Sequence, residues 1–240
     1  MNRQAQAVVM LLFGGAVVKA SVTDMYLRYV KEGLRPFLVA AGALLIAAAV
    51  MTLWYELRGH AAEPGDDDGH GHAHHEPRVG WLLILPVLGL LLVAPPALGS
   101  YAAGQSGTVL SAQNAGSDYP PLPPGDPVPV GLLDYASRAA FDEGRSLAGR
   151  DVQLTGFVTP GPGGEPMLAR IVLSCCAADG RPIKVGMTGD APAGLAADTW
   201  VQVVGRYTAR LAKDPVNSAT VPYLEVRSWQ EITPPKQRYE

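Results

Sequence analysis

Apolar residues crowd into the first hundred positions of the chain, and alternating apolar and polar residues follow in its C-terminal part. The run 36–55 (PFLVAAGALLIAAAVMTLWY) holds no charged residue. At 1.5 Å per residue, a helix of this length covers about 30 Å, the thickness of a bilayer core. Trp54 and Tyr55 end the run with the aromatic rings that favour a membrane interface. The pattern predicts a membrane-spanning helix; a buried helix of a soluble protein is the alternative.

Two further apolar segments accompany this one. Residues 79–98 are uncharged, although Pro86, Pro95 and Pro96 remove backbone donors and predict a kink. Residues 5–20 are apolar except for Lys19, and a secretory signal peptide is the alternative there. Because Lys19 interrupts the small-residue pattern of a cleavage site, we favour a short span. We therefore expect a multi-pass protein of the cell membrane, with residues 1–98 as its transmembrane region.

The loop 56–78 between the second and third spans has an unusual composition. It holds all five histidines of the chain: His60, His70, His72, His74 and His75. Asp66, Asp67, Asp68 and Glu76 lie among them, and imidazole and carboxylate groups are the ligands that Zn²⁺ accepts. The loop predicts an adaptive divalent-metal site. A solvated charged loop and a pH sensor are the alternatives, since histidine titrates near neutrality.

Residues 99–130 form a Pro/Gly-rich tether that favours an extended spacer, and a soluble domain is expected at 131–240. The tether's composition favours an extracytoplasmic domain, although the loop charges do not fix the orientation. Within the domain, 132–141 has the spacing of an amphipathic helix. Five later segments alternate as strands do: 151–159, 169–174, 183–188, 200–209 and 222–229.

The fold class expected is an α+β membrane protein whose soluble part is β-rich. Five strands, with a small helix at 191–197 between the third and fourth of them, suggest an OB-like barrel, with a small sandwich as the alternative. Such barrels often bind oligonucleotides. From residue 149 onward, however, ten Lys and Arg face nine Asp and Glu, so the positive groove of a nucleic-acid binder is missing. We expect no nucleic-acid partner.

Cys175 and Cys176 are adjacent and are predicted to end the second strand. As thiolates they could bind Zn²⁺ or Cu⁺, with Asp179 or a histidine of the loop as a further ligand. Because neighbouring residues on a strand point to opposite faces, the strand would have to break there. A reducible disulfide between them and a purely structural role are the alternatives. No catalytic triad or Cys–His pair is visible in this domain, so we expect no enzyme.

The order of spans, histidine loop, tether and domain covers nearly the whole chain. It is accompanied by the segments 95–100 (PPALGS), 156–158 (GFV), 175–179 (CCAAD) and the pair 234–235 (PP). Together they resemble the YcgQ-like family of bacterial membrane proteins. The loop here is sparser in histidine and more acidic than that resemblance leads one to expect. The C-terminal ending, KQRYE, also differs.

The resemblance implies a permease subunit that acts beside a polytopic membrane permease. The function expected is therefore a non-enzymatic accessory subunit that handles divalent metal ions such as zinc. A thiol-redox membrane protein that uses Cys175 and Cys176 is one alternative, and a membrane-tethered binding module without metal is another. The lack of a C-x-x-C spacing disfavours the redox alternative.

Overall fold

The computed structural model describes residues 3–59, 89, 96–110, 119–147 and 149–240. The chain divides into two compact units, one of Met1–Tyr26 with Glu32–Pro96 and the other of Leu27–Lys31 with Ala97–Glu240. The predicted histidine loop lies outside the described residues from His60 onward. So does the third predicted span, 79–98, apart from Gly89 and 96–98.

The first unit contains two apolar helices. Helix α1 runs over Arg3–Val22 and helix α2 over Arg35–Gly59, with short 3-10 turns at Met25–Arg28 and Glu32–Leu34 between them. The apolar helices predicted at 5–20 and 36–55 are confirmed. Both are long and apolar enough to cross a membrane, although a signal sequence has the same length and composition.

Small residues let α1 and α2 pack closely. A Cβ added at Gly14 would lie 2.9 Å from the Gly42 carbonyl oxygen, and one added at Gly42 would lie 2.7 Å from a Val18 methyl carbon. Ala7 and Ala49 are fully buried. Close backbone approach over small residues is how membrane helices commonly associate. Large apolar side chains remain exposed on these helices, among them Phe37, Leu44, Trp54 and Leu57.

The second unit is built on a mixed six-stranded sheet. The strands are β1 (Val128–Pro129), β2 (Val152–Pro160), β3 (Pro166–Val172), β4 (Arg181–Gly189), β5 (Trp200–Lys213) and β6 (Thr220–Glu231). Their order is β1-β2-β3-β4-β6-β5, and β2 also pairs with β5. The β1–β2 and β4–β6 pairs are parallel and the others antiparallel. The five predicted strands are confirmed, and the short β1 makes a sixth.

One face of this sheet forms the core because apolar side chains recur at every second position. Leu154, Leu168, Ile183 and Leu224 are fully buried. The predicted helix at 132–141 is confirmed as Leu132–Phe141, and its buried face packs on the same cluster. The hydroxyl of Tyr135 in this helix donates to the Tyr223 carbonyl oxygen at 2.7 Å, and burial raises the pKa of Tyr135. The helix thereby covers one side of the core.

The small helix predicted at 191–197 is wrong. The described residues between β4 and β5 form bends and turns instead. Pro192 lacks the amide hydrogen that a helix interior needs, and Gly194 has a φ of 75° in the left-handed region. The alanines of this segment favour a helix, but Pro192 and Gly194 interrupt it.

Much of the segment predicted as a tether lies against the sheet. Ser100–Gln105 forms a short helix, α3, and Leu110 and Val128 are buried in the second unit. Lys184 of β4 donates to the Ser106 carbonyl oxygen at 2.8 Å and to Asp214 at 2.9 Å. These described residues therefore differ from the extended spacer expected for 99–130.

Candidate metal centre

The cysteine pair lies in a tight turn beyond the end of β3. That strand stops at Val172, and a 3-10 turn at Ala177–Asp179 reverses the chain before β4 begins at Arg181. The prediction that the cysteines end the strand is therefore wrong by a few residues. The difference matters because residues in a turn are not forced onto opposite faces, as neighbours in a strand are. Both sulfurs can face the same side.

The Asp179 carboxylate organises this turn. It accepts hydrogen bonds from the amides of Ser174 at 2.9 Å, Cys175 at 2.8 Å and Cys176 at 3.2 Å. In return, the Asp179 amide donates to the Cys176 carbonyl oxygen at 3.0 Å. The spacing is that of a capping box, with Cys176 at the N-cap and Asp179 three residues later. The turn is thus fixed by its own residues.

Gly180 lets the chain leave the turn without a clash. A Cβ added there would lie 2.7 Å from a methyl carbon of Leu98 and 3.1 Å from the Ala177 carbonyl oxygen. Any larger residue would push the end of the turn away from its surroundings. The chain therefore needs glycine directly after Asp179 for close packing rather than for an unusual φ.

Three potential metal ligands meet in this turn. The Cys175 sulfur, the Cys176 sulfur and a carboxylate oxygen of Asp179 all lie within 4.8 Å of one another. Two sulfurs on one tetrahedral zinc ion are roughly 3.8 Å apart, so a small movement would bring these onto an ion. Cys175 is exposed and Cys176 half-buried, which leaves the group open to solvent. Two thiolates with a carboxylate suit Zn²⁺ better than hard cations such as Mg²⁺.

The Cys175 thiol is held in its protonated form. It donates to a carboxylate oxygen of Asp179 at 2.8 Å, and this bond together with the neighbouring Cys176 raises the pKa of Cys175 to about 11. The same thiol and the backbone amides lower the pKa of Asp179 to about 2. Because the thiolate is the reactive form, this arrangement disfavours a nucleophilic or redox-cycling cysteine. A metal ion would have to displace the thiol proton.

A segment that sequence reasoning missed borders the turn. We call Leu27–Lys31, which belongs to the second unit, the strap. Val30 forms an antiparallel bridge with Cys176. On either side of it, the Lys31 amide donates to the Cys175 carbonyl oxygen at 3.1 Å, and the Ala177 amide donates to the Tyr29 carbonyl oxygen at 2.6 Å. The local sequence at 25–30 does not predict pairing with the turn at Cys175–Ala177, because the two segments are distant in sequence.

The end of the chain supports both the strap and β3. Tyr239 donates through its hydroxyl to the Arg28 carbonyl oxygen at 2.7 Å and accepts from the Leu98 amide at 2.9 Å. Glu240 accepts from the Leu173 amide at 2.8 Å through its backbone oxygen. Its side chain accepts from the first amides of the 132–141 helix. The altered ending KQRYE therefore makes specific contacts near the candidate metal centre.

The structure brings together three of the eight predicted metal-site residues, namely Cys175, Cys176 and Asp179. The other five, His60, His70, His72, His74 and His75, lie outside the described residues. Phe157 and Trp200 are buried edge to face in the second unit, with their ring centroids 5.8 Å apart.

Residues 142–240 match the family model of the DUF1980 C-terminal domain, an uncharacterised family. The matched region contains strands β2 to β6 and the complete turn with both cysteines. No curated protein and no solved structure gives a significant match to the chain. The family match therefore supports the integrity of this region as a unit without assigning it an activity.

Proposed function

We propose that this chain is a non-enzymatic accessory subunit of a bacterial membrane permease, and that it captures a divalent metal ion such as Zn²⁺ at Cys175, Cys176 and Asp179. The observation that carries the metal-binding part is the meeting of three ligand atoms within 4.8 Å in one solvent-accessible turn. Metal ligands so close in sequence need little rearrangement, so little ordering entropy opposes binding. The open side of the group leaves room for water or a further ligand.

The membrane part of the proposal rests on the two apolar helices. Their length, composition and exposed apolar side chains fit a lipid bilayer better than water. We infer that α1 and α2 cross the cell membrane and that the second unit is extracytoplasmic. The third predicted span, 79–98, remains part of this proposal.

The permease partner rests on the resemblance to the YcgQ-like family. The DUF1980 match covers the CCAAD segment that carries much of that resemblance. A polytopic permease of a separate family is the partner proposed. Purification of the chain from its native membrane, followed by identification of associated proteins, tests this directly. Recovery without any polytopic membrane protein would contradict the accessory role.

We further infer that the sheet is an OB-type barrel. The pairing order β2-β3-β4-β6-β5 returns to β2, and β4 pairs with β6 in parallel. Counted from β2, the closing pair joins the first and fourth strands, β2 and β5, and the parallel pair joins the third and fifth, β4 and β6. This pairing suits a five-stranded Greek-key barrel of the OB type. Here the 132–141 helix, which precedes the strands, covers the core. Fold alone assigns no ligand to such a barrel.

A zinc-binding titration of the full chain in detergent tests the metal site. Wild-type protein, Cys175→Ser with Cys176→Ser, and Asp179→Asn should be compared by elemental analysis. A fourth variant should carry Ala at His70, His72, His74 and His75. We expect the cysteine variant to lose one bound ion that the histidine variant retains. Loss in the histidine variant alone would assign metal binding to the loop, and equal binding in all variants would contradict the turn site.

The redox alternative predicts a different result from the same samples. A protein that cycles between dithiol and disulfide would show fewer free thiols without reductant than with it. We expect two free thiols in both conditions, because the Cys175 thiol donates to Asp179 and its raised pKa disfavours the thiolate that disulfide formation needs. A reversible loss of both thiols would favour the redox function.

A further inference from the structure

We propose that the strap, Leu27–Lys31, is a positioning element of the metal centre, and that ion binding and strap pairing strengthen each other. This inference rests on the proposed metal site. It assigns a role to a segment that lies between α1 and α2 in the sequence, far from the cysteines, but belongs to the same unit as they do.

The strap holds the backbone on both sides of Cys176. The Cys175 carbonyl oxygen accepts from Lys31, and the Ala177 amide donates to Tyr29, so the residues before and after Cys176 are both fixed. The Lys31 ammonium also lies 3.4 Å from the Leu173 carbonyl oxygen, at the start of the turn. With its neighbours fixed, Cys176 keeps its direction toward Asp179. Loss of the strap would leave only the bonds within the turn to orient the two sulfurs.

Cys175 and Ser174 are exposed, so packing gives them little support. A metal ion bound to Cys175, Cys176 and Asp179 would link three points of this turn and suppress its opening. The hydrogen bonds between turn and strap would then open less often as well. Thermodynamic linkage requires the converse, that a paired strap raises metal affinity by the same factor.

Hydrogen–deuterium exchange of the full chain in detergent, with and without Zn²⁺, measures the first half of this linkage. We expect Zn²⁺ to slow exchange of the Lys31 and Ala177 amides severalfold. Exchange in the β5–β6 hairpin, whose turn is at 214–219, should not change. The Cys175→Ser, Cys176→Ser double variant should show no effect of Zn²⁺ on the strap. Unchanged strap exchange in wild-type protein that has bound the ion would overturn the inference.

Substitutions at Lys31 measure the second half. Lys31→Pro removes the amide that donates to Cys175, whereas the matched control Lys31→Ala removes only the ammonium group and keeps that amide. A backbone hydrogen bond is worth about 1 kcal/mol, so we expect Lys31→Pro to weaken Zn²⁺ binding by a factor of up to about five. Lys31→Ala loses only the long 3.4 Å contact of the ammonium group with the Leu173 carbonyl oxygen, so it should bind Zn²⁺ more tightly than Lys31→Pro does.

The outcomes separate the two proposals. If wild-type protein binds no Zn²⁺ at the cysteines, the proposed function fails. If it binds Zn²⁺ but Lys31→Pro and Lys31→Ala bind equally well, the metal site stands and the strap has no part in it. Should Lys31→Pro fail to fold, the exchange measurement on wild-type protein decides the question by itself.

Discussion

At the scale of single residues, Asp179 has two effects on the turn beyond β3. Its carboxylate accepts hydrogen bonds from the Cys175 thiol and from three backbone amides, which together lower the pKa of Asp179 and keep it ionised. The hydrogen bond that this carboxylate accepts from the Cys175 thiol also keeps the thiol protonated. The Asp179 carboxylate therefore stabilises the turn and also keeps on the Cys175 sulfur the proton that a bound metal ion would displace.

Asp179→Asn should lower the pKa of the Cys175 thiol. Removal of the negative acceptor withdraws the largest cause of its rise to about 11, so the pKa should move toward the ordinary value of about 8.5. The rate of alkylation by iodoacetamide against pH, in a Cys176→Ser background, measures this. Asp190→Asn is the control, because Asp190 is exposed in another loop. An alkylation midpoint that stays near its original pH would contradict the role of Asp179.

Zinc binding at the turn should weaken as pH falls. The hydrogen bond to Asp179 raises the pKa of the Cys175 thiol to about 11, so between about pH 6 and pH 8 each ion that binds this sulfur must displace a proton. Affinity should fall about tenfold for each pH unit and for each proton displaced, between about pH 8 and pH 6. Competition with a chelator of known affinity measures this. The variant with Ala at His70, His72, His74 and His75 removes the imidazoles that titrate in the same range. A flat profile would show that the thiols are not ligands.

At the scale of elements, the sequence predicted what local pattern determines. Apolar and polar residues alternate clearly along strands β2 to β6, and the 132–141 helix has a regular apolar face. The sequence therefore predicts all six of these elements. The Cys176-x-x-Asp179 spacing is also local, but cysteine and aspartate replace the usual Ser/Thr and Glu/Gln of a capping box, so the sequence does not predict the turn. The strap and Tyr239 could not be found in this way. Their partners are distant in sequence and are backbone amides and carbonyl oxygens, which residues of almost every type carry, so the partner's residue type gives no signal.

Tyr239→Phe should loosen the strap. The change removes the donor to the Arg28 carbonyl oxygen and the acceptor for the Leu98 amide, and both groups lie in partly buried surroundings. Loss of such bonds costs about 1–2 kcal/mol of the free energy of unfolding. Denaturant titration measures the cost, and faster exchange of the strap amides locates it. Tyr101→Phe is the control, since Tyr101 is 80% exposed. Equal stability of the two variants would contradict the contact.

At the scale of the whole second unit, one buried ion pair connects segments that are distant in sequence. Lys184 of β4 lies 2.9 Å from Asp214 in the β5–β6 turn, and their side chains are 7% and 0% exposed. Asp214 also accepts from the Thr108 amide, while Lys184 donates to the Ser106 carbonyl oxygen. Burial opposes ionisation of Asp214, but the hydrogen bonds from Lys184 and from the Val216 and Thr108 amides, together with the Lys184 charge, outweigh it and lower the Asp214 pKa. The pair thus fixes residues 106–108 to the sheet, which composition alone assigned to a spacer.

Lys184→Met should therefore destabilise the second unit strongly. Methionine has a similar length but leaves the Asp214 charge buried without its cation, and breaking one side of such a pair typically costs about 3–5 kcal/mol. Denaturant unfolding of the full chain in detergent, followed by the far-UV circular dichroism of the sheet, measures the loss. Lys213→Met is the matched control, because Lys213 is the next lysine along the sheet and is exposed. Adding Asp214→Asn to Lys184→Met removes the stranded charge and should recover a large part of the loss. If Lys184→Met proved no worse than Lys213→Met, the ion pair would not be what holds residues 106–108 against the sheet.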